Sequence, residues 1–494
     1  MWIARGEGRA QKARKFFAEP RVCERARGVS RQPRRGRLAR RDAEFRALRG
    51  ARERTHDAPE RRGPKAVKTW PESIAVRTRG PLDATVRVPG SRSLTNRALL
   101  AAALARGEST LHGALESDDT EAMRDCLDAL GVRIDSDGTT FHVTGRAGHL
   151  AAPERTLDVR YSGTTARFVT AAATLAAGPS RIDGEPRMRE RPIDDLVHAL
   201  VALGAEITIE GKAGCPPLAV AGGGLPGGSA VIDGSRSSQY VSGVLLAAPC
   251  AVSDVTLQLK DGLLVSRPYV EMTLSVMKAF GADVGWRGEA ELHVAAQPYE
   301  GREYAIEPDA SSAAYPFAAA AIAGGRVRVE GLSAQSAQAD LRFLDALEAM
   351  GCTVLREADA CEVRAPDAGL RAVDLDANDY PDASMALAVV ALFADGPSRI
   401  RNIGNLRIKE TDRLTALETE LRKLGAGARA GRDELVVEPA PDSYRGVEVD
   451  TYEDHRMAMA LALAGLRIPG VAVRGPECVR KTWPDYFPAL ERLS

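Results

Sequence analysis

The sequence lacks the features that mark membranes, secretion and metal sites. Its 494 residues contain no run of 18 apolar side chains, so no helix is expected to span a bilayer, and no apolar segment of the secretory-signal kind occurs. The seven cysteines, Cys23, Cys126, Cys215, Cys250, Cys352, Cys361 and Cys478, form no CxxC pair and share no zinc-ligand spacing with a histidine. They are expected to be reduced, mostly buried thiols of a cytoplasmic protein that holds no metal.

Net charge is missing too: 67 Lys and Arg balance 67 Asp and Glu. The balance hides an asymmetry. Residues 1–68 carry 22 basic and 8 acidic side chains, a net of +14, so the remainder carries −14. The basic segment has few apolar runs and no lasting period, and so buries too little to offset its ordering entropy. An Arg-rich arm can bind nucleic acid or an anionic surface. An organelle transit peptide is Ser-rich and acid-poor, whereas this segment has one serine, Ser30, and eight acids. The expectation is a disordered basic extension, with no nucleic-acid partner and no membrane.

From about residue 70 onward one pattern recurs six times. A strand-like run ends in a small polar turn and enters a helix rich in small apolar residues. The joints fall at Ser91, Gly163, Ser235, Asp309, Asp382 and Asp454, at steps of 72, 72, 74, 73 and 72 residues. In the first five repeats a later amphipathic helix ends in an apolar residue followed by Gly131, Gly204, Gly281, Gly351 or Gly425. Glycine there suits a left-handed helix cap. Each unit reads strand–helix–strand–helix plus a strand or two. The Ala-rich helices lack a polar face, which places helices inside and sheets outside. Units this long argue for clustered globular subunits rather than a solenoid.

The joints differ where a site would lie. Helix N-termini bind anions, and Ser, Thr or Asp at these positions also serve simply as caps. Capping does not account for the cations and acids around them. Joint one carries Arg92, Ser93 and Arg97. Joint two carries Ser162, Gly163, Thr164 and Arg167, then GEPRMRERP with Arg187, Arg189 and Arg191. Joint three carries Ser237, Ser238 and Gln239, then VSRPY with Ser266 and Tyr269. Joint five carries Asp382, then Asn405, Lys409, Glu410 and Arg413. Joint six carries Asp454, His455 and Arg456, then Lys481. Lys409, Glu410 and Arg413 have the spacing of one helix face. Many cations around two or three acids imply a ligand with at least two anionic groups. Asp382 and Glu410 among them should stay ionised and are candidate bases.

VPGSRSLTNRALL, SGTTARF, GEPRMRERPIDDL, DGSRSSQ, VSRPY, PDASM, LRIKETDRL, EDHRMAMA and KTWPDYF occur in this order across all six repeats. Residues 70–494 thereby resemble the 5-enolpyruvylshikimate-3-phosphate (EPSP) synthases, or 3-phosphoshikimate 1-carboxyvinyltransferases. The resemblance implies an α/β fold, a two-domain inverse α/β barrel of six βαβαββ repeats, three per domain. Residues 69–90 with 308–494 would form one domain and 91–307 the other. It implies transfer of the enolpyruvyl group of phosphoenolpyruvate to the 5-hydroxyl of shikimate 3-phosphate with release of phosphate. That is a step of the shikimate pathway to chorismate and aromatic amino acids, run by a monomer without cofactor. Ser93, Arg97, Ser237, Ser238, Gln239, Ser266, Asn405 and Lys409 would hold shikimate 3-phosphate. Gly163, Arg191, Gln239, Arg413, Arg456 and Lys481 would hold phosphoenolpyruvate, and Arg92 would meet both. Asp382 would accept the hydroxyl proton, and Glu410 would relay a proton to and from the methylene.

Two positions depart from the family pattern. Arg92 stands where GSKS has lysine; it keeps the charge but cannot release a proton at working pH. Tyr161 stands where asparagine usually precedes the turn. These changes leave open a paralogue with another hydroxylated or phosphorylated acceptor, or one of weak or no activity. A UDP-N-acetylglucosamine enolpyruvyl transferase would carry cysteine in the GEPRMRERP loop, which has none.

Overall fold

The strands follow from alternation. Leu82–Val86 (LDATV) buries Leu82 and Ala84 and exposes Asp83 and Thr85, so it presents one face to a core. The computed structural model describes residues 69–493. The expectation for residues 1–68 lies outside the described residues.

Among the described residues the strands form six separate sheets, five of four strands and one of three. In the second repeat Leu157–Asp158 lies beside Ser180–Asp183, then Leu218–Val220, then Ile207–Ile209. The first pairing is parallel, across a helical crossover, and the next two are antiparallel. The third and fifth repeats share this order. Every sheet is open. The barrel expectation is corrected to that extent, since a barrel needs one continuous ladder and each ladder here stops after three or four strands.

The first and fourth repeats exchange strands. Leu82–Val86 pairs in parallel with Gly325–Glu330, and Glu303–Ala305 with Glu108–His112. Both passages run where Gly90 bridges Pro308. A β-carbon on Gly90 would lie 1.9 Å from the carbonyl oxygen of Gly113, so only glycine fits.

The helices after the joints are buried nearly all round, as their alanine content demands. All eleven residues of Gly163–Ala173 are buried, and thirteen of the fourteen in Ala310–Ala323. The amphipathic helices end as their sequence predicts: Gly131, Gly204, Gly281, Gly351 and Gly425 have φ between 83° and 101°. Buried apolar side chains fall into two clusters. One joins Leu82, Ala84 and Val88 to residues from Ala310 to Leu493; the other runs from Leu94 to Ile306. Both stretches contribute to the walls of one polar cleft. Among the described residues no helix is long and apolar enough to cross a membrane.

Candidate active site

Five joints cap their own helices. Ser91 accepts from the Leu94 N–H, Ser162 from Thr165, Ser237 from Gln239, Asp309 from Ser311 and Asp454 from Arg456. Asp382 does not. Its helix starts at Ser384 with no side-chain cap, and the carboxylate turns into the cleft. Arg92, Ser93, Arg97, Gly163, Arg191, Ser237, Ser238, Gln239, Ser266, Asn405, Lys409, Glu410 and Arg413 line that cleft with it. Lys481 lies outside it, in an adjoining cavity that shares Glu410, Arg191 and Asp119. Arg456 stands behind Asp382.

One buried arginine links the acids. Arg413 donates from Nη1 to Asp382 at 3.0 Å and from Nη2 to Glu410 at 2.9 Å. It also donates from Nε and Nη2 to Asp454 at 2.7 and 3.1 Å. That bidentate grip, with Arg413 only 1% exposed, fixes the guanidinium plane. Asp382 further meets Arg456 Nη2 at 3.0 Å, Lys409 Nζ at 3.6 Å and Arg92 Nη2 at 3.8 Å. The other arm of Arg92 lies 3.5 Å from Asp119. Glu410 takes Lys481 Nζ at 2.5 Å, and Lys481 also donates to the Tyr161 carbonyl at 3.1 Å.

These neighbours decide the charges. Burial alone would push the Asp382 carboxyl up, but Arg456, Lys409, Arg413 and Arg92 outweigh it and hold the group well below the usual carboxylate range. Glu410 likewise overcomes burial through Lys481, Arg413 and Arg191 and is held well below its usual range. His455, buried beside Lys481 and Arg456, is pushed down by burial and then by those charges, and stays neutral.

At the second joint a guanidinium packs against the helix start. A β-carbon on Gly163 would lie 2.5 Å from Arg191 Nη2, so glycine lets the guanidinium lie against the start of the helix. Arg191 Nε and Arg456 Nε are buried without a hydrogen-bond partner. Gln239 reaches across to Thr164 at 3.2 Å.

Several expectations change. Lys409, Glu410 and Arg413 do not share a helix. Asp412 caps Arg413–Lys423, so the helix begins at Arg413 and leaves Lys409 in extended backbone. Glu410 meets Arg413 all the same, from the loop. Arg97 is committed to protein acceptors: Thr273 Oγ1 at 2.8 Å and the carbonyls of Ser93 at 2.9 Å and Tyr269 at 3.0 Å. Ser266, at φ 51°, donates to the Asn378 carbonyl at 3.1 Å and accepts from Asn405 at 3.4 Å. Tyr161 offers its carbonyl rather than its ring to the site, and the ring lines the adjoining cavity. Asp119 was missed. It reads in sequence as an acid in the first turn of a helix, a pattern that does not single it out.

The family model described as EPSP synthase (3-phosphoshikimate 1-carboxyvinyltransferase) matches residues 76–490. The chain belongs to the EPSP synthase family. A 3-phosphoshikimate 1-carboxyvinyltransferase of Nostoc sp. is 45% identical over 415 residues, covering 82% of this chain and 96% of that protein. One from Photobacterium profundum is 44% identical, covering 86% and 99%. The chloroplastic protein of Solanum lycopersicum is 43% identical, covering 87% and 86%. Among solved structures, the EPSP synthase of Acinetobacter baumannii superposes with a TM-score of 0.71 at 25% identity, covering 85% and 98%.

Proposed function

We propose that this chain transfers the enolpyruvyl group of phosphoenolpyruvate to the 5-hydroxyl of shikimate 3-phosphate. The observation that carries the reading is the Asp382–Arg413–Glu410 array, two ionised carboxylates on one buried guanidinium with further cations on their outer sides. Arg191, Gly163, Arg413, Arg456, Arg92 and Lys481 take the phosphate and carboxylate of phosphoenolpyruvate. Ser93, Arg97, Ser237, Ser238, Gln239, Ser266, Asn405 and Lys409 take the phosphorylated ring. Arg97 acts by holding Ser93 and the Tyr269 backbone in place.

A carboxylate held so low is a weak base. Anionic ligands on Arg92, Arg413 and Arg456 take up part of the cationic charge and raise Asp382 toward a range where it accepts the 5-hydroxyl proton. The alkoxide oxygen adds to C2 while C3 takes a proton that the Lys481 ammonium, 2.5 Å from Glu410, supplies through that carboxylate. Glu410 then takes a C3 proton back and returns it to the Lys481 amine as the C2–O bond to phosphate breaks, and the 5-hydroxyl proton leaves Asp382 on the released phosphate. Atoms and charges balance without a redox partner.

We extend the proposal to the architecture. Residues 69–90 with 308–494, and 91–307, are two domains of three βαβαββ units each, helices inward, closing on the substrates. The two apolar clusters and the strand exchange at Gly90 and Pro308 support it. The protein works as a cytoplasmic monomer. Its exposed large apolar residues, such as Val201, Val252 and Leu355, are scattered along the chain, and its six described cysteines are free thiols.

The test is phosphate release from purified protein given both substrates. No release with shikimate 3-phosphate, alongside release with another hydroxylated acceptor, would overturn the reading.

A further inference from the structure

We infer that Arg187, which lines the adjoining cavity, is a positioning residue that fixes the Lys409–Glu410 backbone from the other stretch of the chain; the inference rests on the activity proposed above. Arg187 belongs to the loop after strand Ser180–Asp183, in the stretch that packs on the Leu94–Ile306 cluster. Its guanidinium crosses to the other stretch. Nε donates to the Glu410 carbonyl at 3.0 Å and Nη2 to the Lys409 carbonyl at 3.2 Å. Nη1 is held by Glu190 Oε2 at 2.7 Å, three residues along the same turn. All three nitrogens are therefore engaged, and the fork has one orientation.

The segment it grips is short. Residues 409–412 link the turn Gly404–Ile408 to the helix capped by Asp412. Arg407 ties the two ends together through Asp412 at 2.6 Å, so both anchors lie in one stretch of the chain. Arg187 supplies the anchor from the other stretch. Four residues beyond Arg187 the same loop carries Arg191, seated against Gly163. One loop thus sets Arg191 and, through two carbonyls, the Lys409 and Glu410 side chains in register with it. The carboxylate of Glu410 is held separately, by Lys481 and Arg413. Arg187 therefore governs placement between the two stretches and leaves the charge of Glu410 alone.

Full-length Arg187→Met and Arg187→Lys proteins test this by steady-state phosphate release and by hydrogen exchange of the peptide spanning residues 404–413. Misplacing reacting groups by about 1 Å costs on the order of 10²-fold, so Arg187→Met should lower kcat by up to that factor with each KM within about threefold. Exchange in 409–412 should quicken while the melting temperature holds. Arg187→Lys should recover part of kcat, since one ammonium reaches one carbonyl. An unchanged kcat, a KM that rises as far as kcat falls, or a Lys variant no better than Met would overturn the inference. If the unsubstituted chain releases no phosphate, the proposed activity fails, and exchange alone decides: quickened upholds the clamp, unchanged overturns it.

Discussion

Asp309 and Asp382 begin from the same four letters, PDAS, each at the mouth of a buried, Ala-rich helix. They end as opposites. Asp309 is a cap: Oδ1 accepts from the Ser311 N–H at 3.2 Å and Oδ2 from the Ser312 hydroxyl at 2.9 Å. Burial pushes its carboxyl up despite Arg456 and Arg92. Asp382 caps nothing and is held well below its usual range by four cations that outweigh its burial. The local sequence decides that an acid stands at the turn. Whether the acid holds the helix or faces a ligand depends on side chains from 27 to 290 residues away in the chain: Lys409, Arg413, Arg456 and Arg92.

The widest separation between the two should come from amide substitution. Asp382→Asn should lower kcat by about 10³-fold, the usual scale for losing a positioned base. Asp309→Asn keeps a capping oxygen and should cost about 1 kcal/mol or less of stability, with turnover retained. Paired kcat and thermal-unfolding measurements check this. Equal losses of turnover would abolish the distinction.

Gly163→Ala should give the next largest effect. The added methyl would sit within 2.8 Å of three Arg191 guanidinium atoms and must displace them. A charge-assisted hydrogen bond is worth about 1.5–3 kcal/mol, so the KM for phosphoenolpyruvate should rise by roughly 10- to 150-fold. The KM for shikimate 3-phosphate should stay near its original value. A rise in the latter alone would show that Arg191 serves the other ligand.

A third acid extends the comparison. Asp340 accepts from the hydroxyl of Tyr269 and leaves its other oxygen, Oδ1, buried without a partner. Burial, then repulsion from Asp382, raises its pKa to about 6. A raised carboxyl favours the folded state while protonated. Its contribution is complete below the unfolded pKa near 4 and is lost as pH rises through about 6. Asp382 has the reverse sign: its contribution is present above the unfolded value and is lost as pH falls through its depressed one. Asp340→Asn should therefore flatten the fall in melting temperature between pH 4 and pH 7. An unaltered slope would place that fall on another group.

The repeat, its helix-ending glycines and the order of elements were legible because each rests on local chemistry: alternation, alanine content, and a left-handed cap that favours glycine. The site was legible as a set of residue types at the joints. Three things were not. The helix start at Arg413 depends on Asp412 winning the cap, which the i, i+3 spacing of Glu410 and Arg413 conceals. The commitment of Arg97 to Thr273 and Tyr269 spans more than 170 residues. Asp119 joins the site only because the fork of Arg92 reaches it. In the last two cases the missing information is a partner farther along the chain; in the first it is which of two neighbouring acids takes the cap.

Tyr161 offers the smallest and most discriminating test. In sequence it departs from the family at a turn beside the phosphoenolpyruvate groups, which points to altered chemistry. In the structure its link to the site is the main-chain carbonyl that receives Lys481 at 3.1 Å. The ring is 45% exposed in the adjoining cavity, and its hydroxyl pKa is raised by burial and by Glu185 and Glu453. A carbonyl does not change with the side chain, provided the turn keeps its shape, and Asn fits this turn in the family pattern. Substitutions that touch only exposed side chains usually stay within about 0.5 kcal/mol, so Tyr161→Asn should alter kcat/KM by no more than about threefold. A change beyond tenfold would mean that the ring reaches the ligands when they bind. The difference from the family at this position would then be one of specificity rather than of a side chain facing water.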